Sequence, residues 1–229
     1  MIRTEVIQKI LDKKKASTYL EIGVDSGDNF FPIKVREKIA VDPNFTFSKW
    51  QKTKWYLKNP CNRDAKYYRL VSDNFFADVG NSYQPDIVFI DGLHTYQQSL
   101  KDVNNSLGIL NKNGVIIIHD CNPPHEAAAF PANCFDQAAS SNLPGWAGVW
   151  CGDVWKTLCH LRSTRKDLRI FVLDCDFGLG IITKGKADDF LDLSEQDIAE
   201  MTYEKFSQNR EQILNLKSEK FLYEYLESI

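Results

Sequence analysis

Short apolar runs separated by helix-length segments are the feature that most constrains the fold of this chain. The runs cover residues 18–22, 38–42, 67–72, 86–91 and 114–120. Strands that alternate with helices predict βαβ units and a mostly parallel sheet. Two further runs, 168–174 and 180–183, lie too close together for a parallel crossover and predict an antiparallel hairpin. We therefore expect an α/β fold: a doubly wound, Rossmann-like, mostly parallel seven-stranded sheet with a terminal antiparallel hairpin and helices on both faces.

The length of 229 residues fits one domain spanning residues 1–229. Helical periodicity predicts an N-terminal helix within 1–16 and a C-terminal helical appendage over 194–229. The apolar face of that appendage can pack on its own domain or on a second copy, which leaves a homo-oligomer open. Residues 121–152 are rich in Pro, Gly, Ala and aromatic residues without a clean period. A loop of this length predicts a lid or substrate loop, the alternative being a short helix around 130–140.

The charge balance argues against nucleic-acid and membrane partners. The chain has 28 Lys and Arg residues against 31 Asp and Glu residues, a net charge of −3. No apolar run approaches the ~18 residues of a membrane span. The first 15 residues lack the apolar core of a signal peptide. We therefore expect a cytoplasmic protein that binds neither nucleic acid nor membranes.

The first strand runs into a glycine-rich segment with the spacing E-x-G-x-x-x-G, formed by Glu21, Gly23 and Gly27. A turn of this kind between a strand and a helix brings backbone N–H groups close to a ligand. It is not the dinucleotide motif G-x-G-x-x-G, because Asp25 stands at the second glycine position. Asp42 ends the second strand about 20 positions later, where an acidic residue can bind ribose hydroxyls. The alternative for Asp42 is an N-cap on the helix that follows.

The third strand ends at Ser72 and Asp73. Their side chains are placed to contact an adenine edge at the carboxyl end of the sheet. The alternative is that Asp73 caps the next helix.

The fourth and fifth strands end in carboxylates, Asp91 and Asp120. Neighbouring strands lie ~4.8 Å apart, so these side chains would face each other and repel unless a cation lies between them. Oxygen ligands suit Mg²⁺ or Mn²⁺. His94, three residues after Asp91, is a candidate general base. His119 is a candidate third ligand only if the strand ends before Asp120, because adjacent strand residues point to opposite faces; the alternative is a buried structural histidine.

The order E-x-G-x-x-x-G, VDP, IDGLH and IIIHD over about residues 17–185 resembles the class I S-adenosylmethionine-dependent methyltransferases. Within that family it is similar to a small branch with IDG-x-H and HD strand ends, metal-dependent O-methyltransferases that act on sugars. The resemblance implies S-adenosylmethionine as cofactor. Gly23 and Gly27 would shape the loop around its methionine part and Asp42 would bind its ribose. Asp91 and Asp120 would bind the metal, and His94 would be the base.

The expected function is therefore a metal-assisted methyltransferase that transfers a methyl group from S-adenosylmethionine to a hydroxyl of a small molecule or sugar. The candidate cofactor-binding residues also include Glu21, Ser72, Asp73 and Asp91. The candidate metal ligands are Asp91, Asp120 and His119, with Mg²⁺ or Mn²⁺ favoured and the metal otherwise open. Two alternatives remain: a metal-dependent oxygenase or hydroxylase of the same fold, and a non-catalytic binding module.

Overall fold

A computed structural model describes all residues 1–229 and contains one eight-stranded sheet. The strands are β1 (Thr18–Ile22), β2 (Glu37–Val41), β3 (Lys66–Tyr68), β4 (Ile87–Ile90), β5 (Val115–Ile118), β6 (Leu168–Asp174), β7 (Leu179–Lys184) and β8 (Leu216–Ser218). Their order across the sheet is β3-β2-β1-β4-β5-β7-β6-β8. β7 pairs antiparallel with both β5 and β6, and the other pairs are parallel. The predicted doubly wound α/β fold with a terminal hairpin is confirmed.

Ten helices surround the sheet. They are α1 (Arg3–Lys14), α2 (Lys49–Lys58), α3 (Ser72–Asp78), α4 (Tyr96–Ile109), α5 (Phe135–Ser140), α6 (Trp155–Thr164), α7 (Glu195–Ala199), α8 (Tyr203–Gln208), α9 (Arg210–Leu214) and α10 (Phe221–Glu227). Apolar side chains of α1 and α10 pack on one face of the sheet, and those of α4, α6, α8 and α9 pack on the other. Both faces are therefore covered, which explains why β4 and β5 are continuous apolar runs buried at every position.

The C-terminal segment differs from the all-helical prediction. Its residues 216–218 form β8, which pairs with β6 and makes the sheet eight-stranded rather than seven-stranded. A three-residue edge strand carries no readable period, so the pattern could not reveal it. The apolar residues of this segment, including Phe206, Leu214, Leu222 and Tyr225, are buried in the domain's own core. Of the two packing alternatives for this face, the chain uses its own domain.

A second correction concerns the chain after the glycine-rich segment, where a helix was expected. The connection between β1 and β2 contains no helix, only turns. Its carbonyl groups are buried and receive hydrogen bonds from side chains instead. Asn59 Nδ2 donates to the Phe31 and Ile33 carbonyls at 2.9 and 2.8 Å, and buried Lys38 donates to the Phe30 and Ile33 carbonyls. These side chains supply the hydrogen bonds to backbone carbonyl groups that a helix would have made within its own backbone.

The 121–152 segment follows β5 and is mostly irregular. Its one helix, α5, covers six residues, shorter than the alternative helix over 130–140. No helix of the protein combines the length and the apolar character that a membrane span needs.

Candidate functional site

A cleft of about 950 Å³ lies at the carboxyl ends of β1, β2, β4 and β5. The parallel arrangement brings these strand ends to one edge of the sheet, so the side chains that follow them line one cavity. The sequence-predicted site residues that line it are Glu21, Gly23, Asp42, Ser72, Asp73, Asp91, His94, His119 and Asp120. Gly27 is the exception and does not line the cleft.

Both glycines of the E-x-G-x-x-x-G segment stand where the backbone conformation and the close packing exclude a side chain. Gly23 has φ +83°, and a Cβ there would lie 2.0 Å from the carbonyl oxygen of Asp91. The residue therefore allows the loop to pass directly over the end of β4. Gly27 has φ +79°, and a Cβ there would lie 2.3 Å from the ring of Phe31. Gly27 thus permits the helix-free turn to pack.

Glu21 is buried below the loop. Its carboxylate accepts hydrogen bonds from the Tyr19 hydroxyl and from Asn29 Nδ2, the latter at 2.9 Å. Burial raises the pKa of Glu21 to about 8, so the side chain holds a proton at neutral pH. A direct contact between Glu21 and a cofactor stays a prediction.

Asp42 holds the glycine-rich segment in place. One carboxylate oxygen accepts from the backbone N–H groups of Val24 and Asp25 at 2.8 and 2.9 Å, and the other accepts from Asn44 N–H at 2.7 Å. The helix α2 is capped by Ser48, so Asp42 is not its N-cap. A carboxylate has about four acceptor positions, which leaves one of them for a ligand hydroxyl.

The adenine candidates Ser72 and Asp73 lie in the first turn of α3. Gln98 Nε2 donates to the Ser72 hydroxyl at 3.1 Å and to Asp73 at 3.2 Å. Asp73 also pairs with Lys101, and makes no capping hydrogen bond. Gln98 and the buried Asp102, whose pKa burial raises to about 6, line the same part of the cleft. Both were missed because they lie on α4, where their spacing reads as an ordinary helix face.

Asp91 and Asp120 follow the paired ends of β4 and β5, where Ile90 lies opposite Ile118. β5 ends at Ile118, and Asp120 has φ +60°, which turns its side chain back toward the cleft. Strand alternation therefore no longer separates His119 from Asp120: Nδ1 of His119 lies 3.2 Å from Asp120 Oδ2 and 3.1 Å from Asp91 Oδ1. The sequence analysis allowed His119 to share the site only if the strand ended before Asp120, and β5 does end before it.

Two charged residues that the sequence analysis missed join this group. Arg3 of α1 places Nη1 3.3 Å from Asp91 Oδ2 and within 2.7 Å of His119 Nε2. Asp176, in the turn between β6 and β7, accepts from the Arg3 backbone N–H at 2.7 Å and lies 3.6 Å from His119 Nε2. No local pattern marks either residue, because they reach the site only through the packing of α1 and the hairpin against the sheet.

The electrostatics of the group differ from the bare repulsion expected of two carboxylates. Burial would lower the pKa of His119, but the charges of Asp91 and Asp120 outweigh it and raise this pKa well above its ordinary value. Burial would raise the pKa of Asp91, but the charge and hydrogen bond of His119 hold it well below its ordinary value. Asp91 is thus already compensated within the protein.

His94 is held from outside the strand ends. Its Nδ1 lies 2.9 Å from the Trp150 carbonyl oxygen and 3.2 Å from Asp120 Oδ2, and its Nε2 lies 3.5 Å from Asp91 Oδ1. Gly152 allows the segment that holds Trp150 to approach His94 closely, because a Cβ at position 152 would lie 1.8 Å from the His94 carbonyl oxygen. Burial opposes the charged form, but the hydrogen bond with Asp91 and the charge of Asp120 raise the pKa of His94.

Part of the chain is similar to a known domain family, and the fold is similar to that of several solved structures. Residues 20–121 match a family model described as a methyltransferase domain. An O-methyltransferase from Bacillus cereus in complex with SAH has 12% identity and a TM-score of 0.54, covering 80% of this chain and 82% of that chain. The O-methyltransferase TomG from Streptomyces achromogenes, in complex with SAM, has 10% identity and a TM-score of 0.54, covering 79% and 78%. Cofactor-bound Rv0187 from MTB has 11% identity and a TM-score of 0.58, covering 81% and 82%.

No curated protein sequence matches the chain. The match over residues 20–121 to a methyltransferase domain agrees with the family that the strand-end motifs predicted, and the sheet order with its terminal hairpin agrees with the predicted fold. The narrower resemblance to metal-dependent enzymes acting on sugars stays a prediction.

Proposed function

We propose that the protein is an S-adenosylmethionine-dependent O-methyltransferase that acts on a hydroxyl of a small molecule or sugar with the help of a divalent metal ion. One observation carries the proposal. Ligand atoms of Asp91, His94 and Asp120 all lie within 4.8 Å of one another, in the same cleft as the glycine-rich segment and Asp42. Donor-binding and acceptor-activating groups thus share one cavity.

The cofactor side of the cleft suits S-adenosylmethionine. Asp42 has one acceptor position left for a ribose hydroxyl, and Ser72 and Asp73 border the place where an adenine would lie. The solved structures of similar fold that contain SAM or SAH support the same cofactor. The protein's task is to align the methyl group with the acceptor oxygen.

The donor set of the strand ends suits a divalent ion. The carboxylates of Asp91 and Asp120 provide the oxygen ligands that Mg²⁺ or Mn²⁺ prefers, with His94 beside them. Asp91 and Asp176 pair with the guanidinium of Arg3, whereas Asp120 has only the two histidines as charged partners, which leaves its carboxylate available to a cation. Such an ion, when bound, would lower the pKa of the acceptor hydroxyl.

His94 is our candidate for the base, and its hydrogen bond defines which nitrogen acts. A carbonyl oxygen only accepts hydrogen bonds, so Nδ1 of His94 must donate to Trp150. In the neutral ring the free lone pair is then on Nε2, the nitrogen beside Asp91. Tyr96, the nearest alternative base in the sequence, is turned away: its hydroxyl lies 2.8 Å from Nδ1 of His160.

The metal-dependent oxygenase alternative keeps one supporting observation. Both His94 Nε2 and His119 Nδ1 lie within 3.5 Å of Asp91 Oδ1, a set of two histidines and one carboxylate. However, Arg3 Nη1 lies within 2.9 Å of both ring nitrogens of His119, so any metal ion bound by His119 would have to displace this guanidinium. We therefore prefer a metal held by Asp91 and Asp120, and His119 is a third ligand only if Arg3 moves away.

Calorimetry with S-adenosylhomocysteine tests the cofactor. We expect binding by the wild type, marked weakening in Asp42→Ala, and no change in Asp64→Ala, which removes an exposed carboxylate elsewhere. S-adenosylhomocysteine should also raise the melting temperature, because it binds only the folded state. Binding of NAD instead, or no binding, would contradict the proposal.

The charge balance also leads us to propose a cytoplasmic protein without a nucleic-acid partner.

A further inference from the structure

The balanced charge of the whole chain hides a strongly basic helix, none of whose residues line the catalytic cleft. Helix α2 has the sequence KWQKTKWYLK, with four lysines and no acidic residue. Since the chain as a whole has a net charge of −3, the residues outside this helix carry −7. Positive charge is therefore concentrated on one short surface of an acidic protein.

The same helix exposes large apolar side chains. Trp50 is 69% exposed and Leu57 is 76% exposed, more than any other large hydrophobic residue of the protein. Leu57 follows Trp50 by seven positions, about two helical turns, so both lie on the same face of the helix. Lys54 lies between them, with its Nζ 5.2 Å from the Trp50 ring. No residue of α2 is buried. Exposed Trp and Leu in one stripe, surrounded by lysines, form an amphipathic surface.

This surface lies on a helix that is fixed in place by its capping box and by packing on the domain. Ser48 and Gln51 form a capping box at the start of α2, and Trp55 on the opposite face stacks on Phe31 with ring centroids 5.9 Å apart. A separate pocket of about 240 Å³ adjoins the helix; its basic residues are Lys49, Lys52 and Arg69, and Phe45, Phe47, Ser48 and Tyr67 complete its lining. A rigid helix and a basic pocket thus face solvent together.

We propose that α2 docks the protein on the surface of a bilayer that contains anionic phospholipid. Trp50 and Leu57 would enter the headgroup region, because burial of their apolar area stabilises the bound state. Lys54 and Lys58 would lie near lipid phosphates with their alkyl chains along the interface. The pocket of Lys49, Lys52 and Arg69 would receive a headgroup phosphate.

A bilayer fits the surface better than a nucleic acid does. An exposed aliphatic Leu57 gains nothing from a phosphate backbone, whereas it gains from the acyl boundary. Tryptophan is favoured at membrane interfaces. Whole-chain charge predicted no membrane partner, and the local distribution of charge reverses that expectation for this one face. The inference does not depend on the proposed methyl-transfer chemistry.

Co-sedimentation of the full chain with phosphatidylcholine vesicles, with and without phosphatidylglycerol, tests the proposal. We expect binding only with phosphatidylglycerol, weakened by salt. A basic residue near an anionic surface contributes about fivefold to binding, so the double variant Lys54→Glu, Lys58→Glu should lose roughly 30-fold or more. The variant Trp50→Ser, Leu57→Ser should also bind weakly, and the matched variant Lys184→Glu, Lys186→Glu should bind like the wild type.

The variants change exposed side chains, so circular dichroism and melting temperature should match those of the wild type. Absence of binding to phosphatidylglycerol vesicles would overturn the proposal. So would full binding by Trp50→Ser, Leu57→Ser, because apolar insertion would then be unnecessary. Binding of single-stranded RNA in place of vesicles, lost in the Lys54→Glu, Lys58→Glu variant, would assign the surface to nucleic acid instead.

Discussion

The polar side chains on the two walls of the cleft have different kinds of partner. The glycine-loop wall, residues 21–29 with Asp42, satisfies its polar side chains with backbone N–H groups and neutral partners. The strand-end wall, formed by Asp91, His94, His119 and Asp120, consists of charged groups that mainly face one another. Both walls are polar and line the same cavity, yet only the second combines carboxylates with histidines.

The difference indicates where each wall contributes. On the glycine-loop wall, a substitution breaks contacts that shape the backbone, so it should mainly lower the free energy of unfolding. On the strand-end wall, a substitution removes groups that a metal ion or an acceptor would use, so it should mainly lower turnover. Four predictions test this division, beginning with the largest effect.

Asp91→Asn and Asp120→Asn should abolish metal-dependent methyl transfer while the protein stays folded, because each removes a charged ligand of the proposed ion. Turnover with Mn²⁺ and Mn²⁺ binding by calorimetry are the measurements. Asp91→Asn should also lower the melting temperature modestly, since the carboxylate pairs with Arg3 and His119. Asp192→Asn, at an exposed site, is the matched control. Full turnover by metal-free wild type after chelation would remove the metal from the mechanism.

His94→Ala should lower the rate by ~10²–10⁴-fold, the usual contribution of a general base. The affinity for S-adenosylmethionine should barely change, because the imidazole acts on the acceptor and not on the donor. Single-turnover rates and calorimetry separate these two effects. His160→Ala removes a histidine that pairs with Tyr96 outside the strand ends and should keep its rate. Near-normal turnover in His94→Ala would move the base elsewhere, with His119 tested next.

Gly23→Ala should lower the free energy of unfolding by about 3 kcal/mol or more, because the new Cβ meets a backbone carbonyl and the residue has positive φ. Gly108→Ala is the matched control. Gly108 lies in α4 with nothing within 4 Å of a Cβ, so this variant should gain about 0.5–1 kcal/mol. Urea unfolding measures both. Equal stability of the two variants would show that the loop is not held against β4 as described.

Glu21→Gln should remove a pH dependence of stability. The folded pKa of Glu21 is about 8 against a usual value of 4.5, so in between only the unfolded chain releases this proton. Wild-type stability should therefore fall as pH rises through that window, by up to about 1.4 kcal/mol per pH unit. Below pH 4.5 the effect vanishes, and above about pH 8 it is constant.

The buried Lys38, whose pKa burial lowers to about 7, acts mainly at higher pH and in the opposite direction. Asp102 and the two site histidines also have raised pKa values, so the contribution of Glu21 is the difference in slope between wild type and Glu21→Gln in chemical unfolding between pH 5 and 7. Glu224→Gln, at an exposed position, should keep the wild-type slope. A slope that persists unchanged in Glu21→Gln would assign the pH dependence to another group.

Much of the strand-end wall could be predicted, because its residues follow short apolar runs directly. Parallel strands bring their carboxyl ends to one edge, so Asp91, His94 and Asp120 could be placed together from their positions alone. His119 could be placed with them only on the condition that the strand ended before Asp120. The glycine-loop wall was predicted less well. A helix was expected after Gly27. Its place is taken by hydrogen bonds from the buried side chains of Lys38 and Asn59, which lie 5 and 26 residues after the Ile33 carbonyl that both contact.

The alternation of strands and helices and the residues at the strand ends could be predicted from the amino-acid sequence. These follow from local periodicity and from spacing along the chain. Only tertiary packing places Arg3 and Asp176 in the site, brings Nδ1 of His94 to the Trp150 carbonyl, and leaves Trp50 and Leu57 on one uncovered face. These features depend on contacts between residues far apart in the chain, and no local pattern encodes which distant groups will meet.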